Sequence, residues 1–164
     1  MSLEINIKKS VEVEDLELCK KCGGECCKRA PCHYSPDDFK KISFKALKKE
    51  IEKGNISIDW WEGDIDDKKD RYGKVYYLRI KKIGGNIVDP SWGGVPCSIW
   101  NEKTGCPLPF KERPKGARAL VPAYLIPDLG IPGKCNSTYT REMCVLEWRK
   151  HHTILKRLEA HFAK

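Results

Sequence analysis

Residues 18–33 read LCKKCGGECCKRAPCH and gather Cys19, Cys22, Cys26, Cys27 and Cys32 in one short stretch of a 164-residue chain that has nine cysteines. The spacing is C-x-x-C-x-x-x-C-C-x-x-x-x-C. A C-x-x-C pair lets two thiolates of one turn converge on a single metal, and Gly23 and Gly24 allow the tight backbone that this needs. If the adjacent Cys26 and Cys27 lie in an extended segment, they point to opposite sides. One would then bind metal while the other serves a second site or the core. Four more sulfurs follow at Cys97, Cys106, Cys135 and Cys144.

Bulk composition narrows the reading of these thiols. The chain has 31 Lys+Arg against 23 Asp+Glu, a net charge of +8 and 40% hydrophobic residues. That is expected to form one domain over 1–164 with a modest core. No run nears the ~20 apolar residues of a membrane span, and MSLEINIKKSVEVEDLELC lacks the basic head and apolar middle of a signal peptide. The expected compartment is therefore the cytoplasm, where thiols are kept reduced and nine cysteines read as metal ligands. A secreted disulfide scaffold is the opposed reading. An odd number of cysteines leaves one over in a fully paired scheme, and also in a scheme of two four-thiolate sites.

Zinc sites and iron–sulfur clusters both commonly take four cysteines, and the residues leave the choice open. Eight thiolates with two zinc ions would bring the formal charge from +8 to about +4, and one four-iron cluster in four thiolates to about +6. Much of the basicity can thus balance metal–thiolate charge, which weakens a nucleic-acid reading.

Local patterns around the cysteines predict a mixed α+β chain. YSPDDFKKI offers Ser35 as an N-cap, Pro36 at the first helical position and acids in the first turn. SFKALKKEIEKGN repeats the pattern with Ser43 as cap, Phe44, Leu47 and Ile51 on one face and Gly54 as the stop. ISIDWW and KVYYLRIKKI alternate as half-buried strands, joined through the aspartate-rich EGDIDDKKDRYG, which lacks the order of a calcium loop. At the N-terminus, Leu3, Ile5 and Ile7 alternate weakly, as a strand or arm would.

Eight of the ten prolines lie between Gly84 and Gly133, so regular structure there should be short. In PCSIWNEKTGCPL two extended pieces are expected to close through Gly105, bringing Cys97 to Cys106. The metal would then staple residues 19–32 to 97–106. The last region, TREMCVLEWRKHHTILKRLEAHFAK, places Cys144, Trp148, His151, Leu155, Leu158 and Phe162 on one face of a single long helix capped by Thr140. Cys135 and Cys144 are either ligands or buried small hydrophobes. His33 is either a ligand or a hydrogen-bonded surface residue, and His151 and His152 are expected at the core boundary.

Two segments, CKKCGGECC and PCSIWNEKTGCPLPFKERPKGAR, together resemble the YkgJ-type proteins, described as a zinc- or iron-chelating domain with a C-x-x-C-x-x-x-C-C signature. The resemblance covers about a quarter of the chain and matches Cys97, Cys106, Arg113, Pro114 and Arg118 to the family's later pattern. Where the family has a cysteine after Arg-Pro, this chain has Ala117. Either a ligand is lost or Cys135 or Cys144 replaces it, and Cys144 is expected in a first helical turn that favours a thiolate. Arg113 and Arg118 would neutralise a cluster, bind an acidic partner or form surface ion pairs. A related domain occurs in flagellin lysine N-methylases, so the resemblance also implies a link to iron–sulfur-dependent protein modification. The chain itself shows no G-x-G-x-x-G after a strand and is short for an added cofactor domain.

The expectation is thus an α+β, cysteine-rich, metal-stapled domain with short helices near 36–53, a small antiparallel sheet and a long C-terminal helix. Its function would be to hold zinc or an iron–sulfur cluster, as an accessory to a redox or protein-modification reaction. The alternative is a zinc-stapled module that binds protein, or nucleic acid through basic residues with Trp60, Trp61 or Trp92. The aromatic and basic residues form no recognised nucleic-acid motif, and no membrane partner is expected.

Overall fold

The computed structural model describes residues 10, 12, 17, 23–29, 31–62, 73–90, 95–122 and 135–164. The Leu3–Ile7 pattern, Cys19, Cys22, Trp92 and most of the aspartate-rich stretch lie outside these. The architecture is mixed α+β. Its helices are α1 (Glu25–Arg29), α2 (Phe44–Glu52), α3 (Lys115–Arg118), α4 (Arg141–Arg149) and α5 (His152–Phe162). Strands β1 (Ile56–Glu62) and β2 (Lys74–Ile80) pair antiparallel, as do β3 (Leu120–Pro122) and β4 (Cys135–Ser137). Among the described residues no helix is long and apolar enough to cross a membrane.

Local chemistry places the first elements as the sequence predicts. The Ser35 hydroxyl accepts from the Asp37 amide, and the Asp38 carboxylate accepts from the Ser35 amide, which closes a capping box around a single 3-10 turn at Pro36–Asp38. Ser43 caps α2 by accepting from the Ala46 amide, and Gly54, at φ 97°, ends it in a left-handed conformation. Leu47 and Ile51 then bury against the hairpin and α5.

The β1–β2 hairpin differs from a half-buried pair. In register Ile56↔Ile80 to Glu62↔Lys74, the residues Ile56, Ile58, Trp60, Tyr76, Leu78 and Ile80 share one face. The opposite face carries Ser57, Asp59, Tyr77 and Arg79, and all four are buried too. Both edges of the hairpin are covered by irregular chain. Tyr34 donates its amide to the Leu78 carbonyl and Ile80 donates to the Cys32 carbonyl, so residues 32–34 lie against β2. On the other edge Ile58 donates to Ile87 and Asp89 to Ile58, which lays residues 87–89 along β1.

Burying the polar face requires that its charges be paired. Arg79 is fully buried and donates from Nε to Asp59 Oδ2 at 2.8 Å and from its other nitrogens to the carbonyls of Asp89 and Ile80. Tyr77 completes Asp59 by donating its hydroxyl at 2.6 Å.

The C-terminal stripe forms, but not as one helix. Thr140 caps α4 by accepting from the Met143 amide. The chain then bends at His151, whose φ of −113° and ψ of 16° leave the helical region. Its amide donates to Trp148 in a tighter 3-10 link. The break falls in a Lys-His-His run of modest helix propensity. Trp148, Leu155 and Leu158 are fully buried on either side of it, so the single long helix is replaced by two packed on one core. His151 and His152 are half-buried, against Trp148 and Tyr76 respectively.

Replacing Asp59 by alanine leaves the buried Arg79 only the more distant Asp89 carboxylate, at 3.7 Å, and should cost about 3 kcal/mol of stability. Urea unfolding measures this, and Asp59→Asn, which keeps the hydrogen-bond acceptor, should cost less.

A second prediction concerns acid. Glu147 on α4 feels burial, which pushes its carboxyl up, but hydrogen bonds from Ser35, Tyr139 and Lys115 outweigh this and hold it below the ordinary 4.5. Because its folded value is depressed, Glu147 contributes stability above its unfolded value, and this is lost as pH falls through the folded one. The gap in urea midpoint between wild type and Glu147→Gln should therefore be clear at pH ~7 and close in acid.

Candidate functional site

Gly23 and Gly24 precede α1 with positive φ of 65° and 77°, as the tight cysteine block requires. Gly24 has a second reason to be glycine. A Cβ there would stand 2.9 Å from the Cα of Gly105 and 3.1 Å from the Trp100 indole nitrogen. That indole donates to the Gly23 carbonyl at 3.2 Å. Gly105 itself has a φ of 72° and closes its loop through reciprocal backbone bonds with Asn101. The two cysteine-bearing segments therefore meet backbone to backbone at a pair of glycines.

Further along, the Cys97 amide donates to the Cys27 carbonyl at 2.8 Å. Residues 96–98 pair in turn with the continuation of β2, where Ile83 donates to Pro96 and Ser98 to Lys81. The first arm of the expected hairpin is thus a turn, with Trp100 donating to Cys97, and the closing loop is residues 101–105.

This scaffold brings five of the predicted sulfurs together. Cys27 and Cys97 are buried with Ile80, and Cys26 and Cys106 pack against them. Cys32 lies within electrostatic reach of Cys26, Cys97 and Cys106. Cys26 and Cys27 do not lie in an extended segment. Both belong to the single turn of α1, and both pack in the same cluster. All seven described cysteines are free thiols. Among the described residues, no three His, Cys, Asp or Glu side chains are arranged to hold a metal ion.

Hydrogen bonds divide these thiols into donors and acceptors. The single S–H of Cys27 can bond to Cys106 or to Cys26, and both contacts, with burial, raise its own pKa. Cys106 accepts from Cys27; against the upward push of burial, the Leu108 amide and Arg113 also help bring it to about 6. Cys26 is likewise lowered to about 7, chiefly by the Cys27 hydrogen bond. Burial pushes Cys97 up to about 11, although the amides of Ile99 and Trp100 point at its sulfur. Burial raises Cys32 as well, and the neighbouring sulfurs add to it.

The two arginines separate. Arg113 reaches the Cys106 sulfur and is anchored by donating from Nε to the Leu108 carbonyl at 2.9 Å. Arg118 instead bonds Asp38 at 2.9 Å, Glu12 at 3.2 Å and the Arg113 carbonyl, a partly buried structural pair. Between them Gly116 donates its amide to the His33 carbonyl at 3.0 Å, and a Cβ there would meet that carbonyl oxygen at 2.8 Å.

The remaining candidates take other places. Cys144 is not in a thiolate-favouring first turn. Its amide already donates to Thr140, its sulfur lies 4.0 Å from the Tyr34 carbonyl, and burial pushes it up to about 12 within the apolar core. Cys135 opens β4 opposite Pro122, and Ala117 lies on α3. His33 sits half-buried, edge-on to Trp61 and Tyr77, and burial with Arg79 lowers it to about 4. Trp60 and Trp61 are half-buried under Lys74 and Arg141, and Trp61 stacks on Tyr77. Sequence reasoning gave Gly105 its turn but missed its contact with Gly24, the role of Gly116 and the Asp59–Arg79 pair. Only the glycines in otherwise loop-forming segments could have signalled the first two.

No protein-family model matches the chain, and comparisons with curated proteins and with solved structures likewise find no match.

Because Gly24 abuts Gly105 while a Cβ at Gly23 would meet nothing, the two alanine variants should differ. Gly23→Ala should cost about 1–2 kcal/mol for its left-handed backbone alone. Gly24→Ala should cost visibly more and move the sulfurs apart. Urea melts with thiol-accessibility measurements check both.

Proposed function

We propose that the chain is a metal-binding protein that holds zinc or an iron–sulfur cluster through cysteines of residues 19–32 and 97–106. The observation that carries this reading is the convergence of Cys26, Cys27, Cys32, Cys97 and Cys106 from two distant segments onto one buried junction. Soft cysteine sulfurs, as thiolates, suit zinc or iron–sulfur chemistry. The amides aimed at Cys97 and Cys106, and the Arg113 guanidinium, are donors of the kind that stabilise ligated thiolates.

Several sulfurs of this kind crowd together as thiolates only if positive charge joins them, and a cation or cluster supplies it. Cys26 or Cys32 with Cys27, Cys97 and Cys106 would make up a four-sulfur set, and Cys19 and Cys22 lie a few residues upstream in the same block. The order of these cysteines and of Arg113-Pro114 is also what makes the chain resemble the YkgJ-type proteins. Bound there, zinc would fasten the two segments without redox chemistry, and an iron–sulfur cluster would add electron transfer. The second capability fits an accessory to a redox or protein-modification reaction in a reducing compartment such as the cytoplasm.

Metal and acid-labile sulfide per chain, measured on anaerobically prepared protein, test the reading. Stoichiometric zinc in colourless protein, or iron with sulfide in brown protein, is expected. Cys27→Ser and Cys97→Ser should each lose metal and lower the melting temperature. Full metal retention and unchanged melting in both variants would overturn the ligand assignment.

A further inference from the structure

Within the sulfur cluster one contact crosses the junction between thiols. Cys27 on α1 packs in one cluster with Cys106 on the far segment, within hydrogen-bond reach of it, and both are free. They also differ in access, since Cys106 is half-buried and Cys27 only 6% exposed. We propose that Cys106 and Cys27 are the attacking and resolving thiols of an exchange with a low-molecular-weight disulfide such as oxidised glutathione, and that this exchange competes with metal. The competition rests on the metal-binding reading above, whereas the exchange pair does not.

The geometry favours this pair over its neighbours. Cys26 also touches Cys27, but a bond between adjacent residues of a helical turn departs from relaxed disulfide geometry. Cys97 is buried at 1% exposure, its sulfur covered by the amides of Ile99 and Trp100. The backbones that carry Cys27 and Cys106 are already clamped by the Gly24–Gly105 contact, so the sulfurs need little backbone movement to meet.

In the first step the Cys106 thiolate attacks one sulfur of the glutathione disulfide. The S–S bond breaks, one glutathione thiolate leaves, and it takes up the proton that Cys106 released. Cys27, as thiolate, then attacks the Cys106 sulfur of the mixed disulfide, the Cys27–Cys106 bond forms, and the second glutathione departs with the Cys27 proton. The protein dithiol has lost two electrons and two protons, and the glutathione disulfide has gained them. A sulfur in that bond cannot ligate metal, and a sulfur held by metal is not free to attack.

Full-length protein, one portion stripped by a chelator and one loaded with zinc, is exposed under native conditions to oxidised glutathione and mapped by unreduced peptide mass. The stripped chain should yield peptides joined through Cys27 and Cys106, two hydrogens lighter than their sum. The same mapping in urea, where the contact is lost, should scatter the links. Loading zinc should slow the native link at least about tenfold, because ligated thiolates are held out of exchange. A native link between any other pair, or none, overturns the exchange pair, and equal rates in a chain shown to hold zinc overturn the competition. A chain that takes up no zinc yet joins Cys27 to Cys106 overturns the metal-binding reading and leaves the exchange pair standing.

Discussion

The charge of Arg79, carried into the interior on β2, is the constraint around which the molecule is arranged. A guanidinium without water needs its donors satisfied, and the chain answers with the Asp59 carboxylate across the hairpin and the carbonyls of Ile80 and Asp89. Satisfying it fixes the hairpin register, because a slip of one strand by one residue would put Arg79 and Asp59 on opposite faces. It also draws in residues 87–89 along β1. The next residue, Ile80, lies in the sulfur cluster and holds Cys32 through its amide, so the polar core and the sulfur site are neighbours on one strand.

The nine cysteines, read together, look like one reservoir of ligands, and the fold sorts them by environment. Cys144 is surrounded by tyrosines and α4 and behaves as a small core residue, with a thiol that burial keeps protonated. The five sulfurs at the junction instead face one another and backbone amides. There, burial and then the nearness of sulfur to sulfur work against thiolate charge, and Arg113 is a cation placed to relieve it at Cys106. The arginine five residues later in the same motif spends its charge on Asp38, holding α3 to the capping box. Two identical side chains in one short motif thus have unrelated duties.

What was legible in the sequence was what neighbouring residues decide. Ser35, Ser43, Thr140 and Gly54 mark helix ends because capping is a contact over two or three positions, and the apolar stripes of α2 and of α4–α5 follow from periodicity alone. The meeting of the two cysteine segments was also legible, from spacing and turn residues. The burial of both hairpin faces was not, since Ser57, Asp59 and Arg79 read as solvent positions until residues 32–34 and 87–89 cover the edges. Nor could alternation show that Cys26 and Cys27 share a helical turn, or that Gly24 and Gly116 are small because another backbone lies against them. Each of these depends on chain that is distant in sequence.

The bond that Ile80 donates to Cys32, and those that join Lys81 and Ile83 to Ser98 and Pro96 on either side of Cys97, make a stretch of β2 and its continuation a gauge of length. One residue of strand advances the chain by about 3.3 Å, whereas a zinc–sulfur bond spans about 2.3 Å. A single insertion between Ile80 and Lys82 would therefore shift one set of sulfurs against the other by more than a ligand bond. Substitutions on the surface of this strand are tolerable in principle, but its count of residues is not. The dimension of the sulfur site is set by peptide arithmetic at a place where no cysteine stands.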